Sequence, residues 1–350
     1  MEQITNRTVL YMDDKSMLSY KSGKILYEVI NNRSFSVRLP LNAWKRLCSH
    51  SRMAERFLRL TPKCVERIDD IQFLISYAGA VYCLNVESQE LKEEHHYCPM
   101  MNNPLYFTKI EGIEGFTDGV LYGEYPINPS RNPISIYQRS IIGIWEKIYT
   151  FNGSILHIHN IIPDKSRGCV YILTGDENKE SGIWEARNDF KDVKPIVIGS
   201  QQYRSCVAFP TKGGLIYATD SPLEKNSLYY LNIERKKTFY LADITGACVF
   251  GTEKEGKYYF AADVEPDASL PLWKYWTTYK LGKGIKDRKV RVYAGNLDEG
   301  FKVVAEFEKD NWPYTAFQFG NVLFPKCEID GKVLIQPVAV KKYDNCAMFL

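Results

Sequence analysis

The strongest constraint in this sequence is its rhythm. Short runs of Val, Ile, Tyr and Phe follow one another with turn residues between them, and they come in groups of four. One group reads "LHIHNIIPD", "GCVYILTGD", "SGIWEAR" and "KPIVIG"; the next reads "RSCVAFPTK", "GLIYATD", "SLYYLNI" and "TFYLAD". β-Branched and aromatic runs bounded by Gly, Pro, Asp, Asn or Lys are strands with turn chemistry between them. A third group starts at "GACVFGTEKEG" and continues through "KYYFAADVEP" and "WTTYKLG" to "VRVYAGN". Upstream, "GIEGFTDG", "GVLYGEYPIN", "ISIYQRS" and "WEKIYTF" form another, and "IDDIQFLISYAG" with "AVYCLNV" a weaker one. Restarts about 40–50 residues apart match the period of a propeller blade. The expected fold is all-β: one β-propeller domain over residues 1–350, with six or seven four-stranded blades and seven favoured. A pair of β-sandwiches fits the matched groups less well. The first and last blades are hardest to delimit, because ring closure often combines the two termini.

One segment breaks the rhythm. In "LNAWKRLCSHSRMAERFLRL", Leu41 to Leu60, apolar residues recur at three- and four-residue steps with basic residues between them. This spacing predicts a short amphipathic helix over 41–60. It packs on the sheet edge with a solvated basic face, or it meets a membrane surface or an anionic partner.

Hydrophobic residues make up 45% of the chain and aromatics 13%, enough for a sizeable core. The formal charge of +3 offers no concentrated basic surface, so nucleic acid is not an expected partner. Nine cysteines without CxxC spacing argue against a zinc ribbon or a redox motif, and for a reduced chain. The start lacks a secretory pattern, and the most apolar run, Ile71 to Val86, is interrupted by Gln, Ser, Gly and Asn. A cytoplasmic location without a transmembrane segment is therefore expected.

Polar residues breaking into inner strands are the informative anomalies. In "HIHN", His157 and His159 alternate with Ile158, so a strand points both imidazoles to one face. Such a pair can ligate a metal or exchange protons; two hydrogen-bonded structural histidines are the plainer alternative. A divalent metal is thus open as a cofactor, its ligand set unassigned, with Asp176 in "TGDE" the nearest carboxylate for a third position. "GSQQYR" brings Gln201, Gln202 and Arg204 to the start of the next inner strand, where Arg204 could hold a carboxylate or phosphate, or a neighbouring blade. "LYGEY" sets Glu124 beside Tyr125, a carboxyl against aromatic surface suited to acid or base work, or to capping a turn. Asp176 and Asp220 hold equivalent places in consecutive groups, which favours a shared turn role. No GxSxG, HExxH or P-loop pattern is present.

The stretches "YGEYPINPSRNPISIYQRS", "GIWEKIYTFNGSILHIHNIIPD", "LTGDENKESGIWEA", "GSQQYR" and "YATDSPLEKNSLYYL" resemble the sialidase-like BNR or Asp-box propellers. More narrowly, they resemble bacterial propeller proteins found with surface-polysaccharide genes. "SIIGIW" and "TGDENKESGIW" read as degenerate Asp-boxes, the turn between the outer two strands of a blade. The sialidase Tyr/Glu pair and arginine triad find no counterpart, so the resemblance implies fold and a glycan-directed role, not sialidase activity.

Two functions are expected from these readings. The first is a carbohydrate-active enzyme cleaving glycosidic bonds. It would be a hydrolase through Glu124 and Asp176, or a lyase in which His157 or His159 removes the proton beside a uronate carboxylate. Tyr125, Gln201, Gln202, Arg204 and Asp220 would contact the substrate. The second is a non-catalytic propeller binding a glycan or a protein partner through the same rim.

Overall fold

The computed structural model describes residues 3–30, 34–101 and 103–350. The fold is all-β, a propeller of seven four-stranded blades with three short helices among the described residues. The strands of the groups read at 157–198 and 207–244 pair in chain order as antiparallel meanders, whereas "GIEGFTDG" is a turn region and the first strand of its blade is Thr108–Ile110.

Residues 62–219 and 230–239 form one compact unit. Its sheets run Val65–Arg67, Gln72–Tyr77, Ala80–Asn85 and Glu90–His96; then Thr108–Ile110, Gly119–Gly123, Ile134–Arg139 and Trp145–Phe151; then His157–Asp164, Cys169–Gly175, Gly182–Arg187 and Asp192–Ile198. Burial grades across each blade. The Cys169–Gly175 strand is buried throughout, whereas Asp192–Ile198, at the sheet edge, is mostly exposed and carries Asp192 and Lys194. Charged edge strands resist pairing with other chains. Ile134, Ile136, Ile158, Ile161, Val170 and Ile172 pack in one core between adjacent sheets. The next sheet runs Val207–Thr211, Gly214–Ala218, Asn226–Asn232 and Lys237–Ile244. Gly214 is required there, because a Cβ would stand 1.9 Å from the Leu231 carbonyl oxygen.

Residues 1–61, 220–229 and 240–350 form the second unit. One of its sheets takes strands from both termini: Gln3–Thr5 pairs with Cys346–Phe349, followed by Leu334–Val338 and Asn321–Leu323. The mixed closure blade is as the sequence led us to expect. A second sheet holds Thr8–Met12, Ser16–Lys21, Lys24–Val29 and Phe35–Arg38, with Lys326–Cys327 added parallel at its edge.

Three local expectations need correction. The segment 41–60 is not one helix but two, α1 (Ala43–Cys48) and α2 (Arg52–Leu58). Asn42 and Ser51 each accept a backbone N–H three residues on, so a second N-cap restarts the chain where one helix was expected. "WTTYKLG" is not a strand. Its start lies in a third helix, α3 (Leu272–Thr277), and the sheet Gly251–Lys254, Lys257–Ala262, Lys289–Asn296 is completed by Gly300–Glu308. The two Asp-box readings also part. "SIIGIW" turns between the third and fourth strands of its blade, with the Ser140 hydroxyl accepting from Ile144 N–H. "TGDENKESGIW" lies between the second and third strands, so it does not occupy an Asp-box place. No described helix is long and apolar enough to cross a membrane.

Candidate functional site

The His157–Asp164 strand pairs with Cys169–Gly175, but the register slips between Ile158 and Asn160. His159 is the extra residue of this bulge, a device that re-aims side chains. Both imidazoles are buried, and their Nε2 atoms lie 3.1 Å apart. Asp176 follows directly on the partner strand and meets both rings, with Oδ1 3.2 Å from His159 Nε2 and Oδ2 3.3 Å from His157 Nε2.

The outward nitrogens fix the tautomers. His159 Nδ1 lies 2.9 Å from the Ser205 carbonyl, and a carbonyl only accepts, so Nδ1 carries the proton. His157 faces the backbone of Pro126, which has a carbonyl and no N–H. With its Nε2 turned to His159 and Asp176, His157 donates from Nδ1. In the neutral rings both Nε2 lone pairs therefore point at one another and at a carboxylate. Either a shared extra proton or a cation relieves that convergence.

Burial pushes His157 below the ordinary imidazole range, against the pull of Asp176. Burial also disfavours the Asp176 carboxylate, yet the two imidazoles at its oxygens, which donate to it once protonated, and the Arg204 charge outweigh it and hold the carboxyl well below its usual range. Arg204 Nη2 stands 2.9 Å from Asp176 Oδ1, its Nη1 donates to the Asp176 carbonyl at 3.1 Å, and Gln201 donates to the same carbonyl at 2.8 Å. Tyr125 packs at a tilt against the group, 4.0 Å between its ring centroid and that of His157. The Asp176 side chain is 29% exposed, so the cluster opens to solvent through its carboxylate.

His157, His159 and Asp176 thus place two imidazole nitrogens and a carboxylate oxygen within 4.8 Å of one another. Two histidines and one carboxylate are a donor set for divalent first-row metals, with positions left for water or substrate. The backbone carbonyls behind the rings and Arg204 behind the carboxylate orient the donors.

Of the residues expected at the site, His157, His159, Asp176, Arg204, Gln201 and Tyr125 come together. Gln202 and Glu124 are engaged elsewhere. Gln202 donates to Thr238 Oγ1 at 2.7 Å. Glu124 is buried and accepts from Ser135 N–H at 2.7 Å, so the expected Glu124–Asp176 pair shares no partner. Arg204 spends its guanidinium on Asp176 and does not stand ready for a substrate carboxylate. Asp220 is buried near Asp263 and Cys248. Sequence reasoning missed Ser205 and Pro126. Their contribution is a backbone carbonyl, which carries no residue-type signal.

No protein-family model and no curated protein sequence matches this chain. Solved structures do resemble it. A chain from the structural and mechanistic work on two prolyl endopeptidases aligns over 99% of this chain and 50% of its own length, with TM-score 0.54 and 11% identity. The CNH domain of AfRom2 aligns over 99% of this chain and 94% of its own, with TM-score 0.53 and 6% identity. At such identities the likeness shows the propeller fold alone.

Proposed function

We propose that this chain is a carbohydrate-active propeller that breaks a glycosidic bond in an acidic glycan, using a divalent cation held by His157, His159 and Asp176. The observation that carries this reading is the convergence of the two Nε2 lone pairs on the anionic Asp176. Because Arg204 is committed to Asp176, a cation is the group left to neutralise a uronate carboxylate in the elimination route. In the hydrolytic route the same cation would lower the pKa of a bound water. The glycan class rests on the resemblance to sialidase-like, polysaccharide-associated propellers; the reaction class rests on the donor set. The Glu124–Asp176 hydrolase has no such support, since Glu124 is satisfied by Ser135.

The test incubates the metal-loaded protein with uronate-containing polysaccharides and follows unsaturated sugar ends and new reducing ends separately. Unsaturated ends formed in step with new reducing ends identify a lyase, and reducing ends without unsaturation a hydrolase. Neither product from any acidic polysaccharide with any divalent metal overturns the reading.

The burial of both imidazoles favours a second reading. There the cluster only ties the inner strand to the Asp176 loop, and the chain binds a glycan or protein without turnover. Its signature is saturable binding with no product.

A further inference from the structure

Residues 268–286, "ASLPLWKYWTTYKLGKGIK", hold four lysines and no Asp or Glu. Lys274, Lys280, Lys283 and Lys286 are all exposed. Helix α3 within this segment buries none of its residues. Leu272 is 73% exposed and Trp273 70%, with Trp276 and Tyr279 about half exposed. A helix normally stabilises itself by burying an apolar stripe, and this one keeps its apolar side chains on the surface.

A fully buried ring of the same unit packs against this segment, and exposed aromatics lie beyond it in the chain. The Thr278 carbonyl accepts from Tyr314 N–H, and the Tyr279 and Tyr314 rings lie 6.4 Å apart. Two residues before Tyr314, Trp312 meets Phe317 at 5.1 Å, and Phe317 meets Phe57 of α2 at 5.5 Å. Trp312 and Phe57 are themselves about half exposed. Exposed apolar side chains gathered in one short helix in this way mark an interaction site.

We infer that this face docks on an anionic lipid surface, with Leu272, Trp273 and Trp276 entering the headgroup boundary and the lysines meeting lipid phosphates. Charge and chemistry together select that occupant. Lys280 is held by Asp267 at 2.8 Å, and the exposed Lys274, Lys283 and Lys286 complement an anionic bilayer. Tryptophan, apolar in body with one N–H, suits the membrane–water boundary. The Lys274 ammonium sits 5.1 Å from the Trp273 ring centroid, so the cation and the inserting ring share one place. Leu272 and Phe57 gain from hydrocarbon but offer no hydrogen bond to a sugar, which argues against an extended polysaccharide platform. The inference is independent of the glycan-cleaving reading, whose residues lie in the other unit.

The test sediments the full chain with phosphatidylcholine vesicles, with and without about 30% phosphatidylglycerol. The expected result is binding to the anionic vesicles, a blue shift of tryptophan emission, and release at high salt. Leu272→Ser with Trp273→Ala should weaken binding about tenfold or more. Lys274→Gln and Lys283→Gln should each weaken it about fivefold. All four positions are exposed, so thermal melting should confirm unchanged folding. Equal affinity for neutral vesicles, no binding to either, or binding untouched by these variants would overturn the inference. So would displacement from vesicles by low concentrations of polygalacturonate, which would make this a polysaccharide surface.

Discussion

His157 and His159 present their Nε2 atoms 3.1 Å apart, on the open side of a bulge that turns both rings toward Asp176. A strand running straight through this point would separate residues i and i+2 by more than 6 Å along the chain. The bulge and the pull of one carboxylate bring the two nitrogens within a single coordination sphere. Removing the carboxylate should therefore dismantle the cation site more than the fold. Asp176→Asn is expected to lower zinc affinity more than about 100-fold by calorimetric titration. The apo melting temperature should shift by only a few degrees, because the position-176 carbonyl still receives Arg204 and Gln201.

Arg204 acts through Asp176 and is a positioning residue. Arg204→Met should cost about 10- to 100-fold in metal affinity while leaving both imidazoles in place. Arg204→Lys should restore only part of the loss, since a single ammonium cannot reach both the carboxylate and the carbonyl as the guanidinium fork does. Titration of both variants with zinc checks the order wild type, Lys, Met.

A different pair governs the response to alkali. Lys309 is fully buried beside Asp310, and burial lowers its pKa from 10.5 to about 8 despite that partner. The folded chain therefore gives up this proton at lower pH than the unfolded chain. Between about pH 8 and 10.5 the unfolded state binds more protons, so this group makes stability rise with pH across that window. The full effect is on the order of 3 kcal/mol. Urea melts of wild type and Lys309→Met over this range should show the rising component only in wild type.

Gly214 has no room for a side chain against the Leu231 carbonyl, and that neighbour is sheet backbone. Gly214→Ala should cost about 2–3 kcal/mol, read as a lower urea midpoint at unchanged slope. An unchanged midpoint would mean that the two strands do not pair in this register.

Much of the fold was legible because strand composition and turn residues repeat, and a meander needs little else to fix its order. The four-strand groups at His157–Ile198 and Val207–Ile244 are as read from sequence. Breaks came where one local signal competed with another. "WTTYKLG" has strand composition, but Pro271 just before Leu272 suits a helix start, and its aromatics stay on the surface. The 41–60 helix kept its periodicity across Ser49–Ser51, where side-chain capping stops one helix and starts another. At the site, alternation in "HIHN" located both imidazoles, and chain order placed Asp176 on the next strand. Glu124 and Gln202 misled because residue type alone does not say which backbone N–H or hydroxyl has already claimed a side chain. The tautomers depend on carbonyls of Ser205 and Pro126, which no residue pattern announces.

The most direct measurement is metal content. Purified full-length chain, stripped with chelator, exposed to zinc and dialysed, should retain one equivalent, while His157→Ala with His159→Ala, folded by thermal melting, should retain none. Wild-type protein that takes up no stoichiometric zinc, manganese, iron or nickel, or a double variant that holds as much as wild type, would contradict the account.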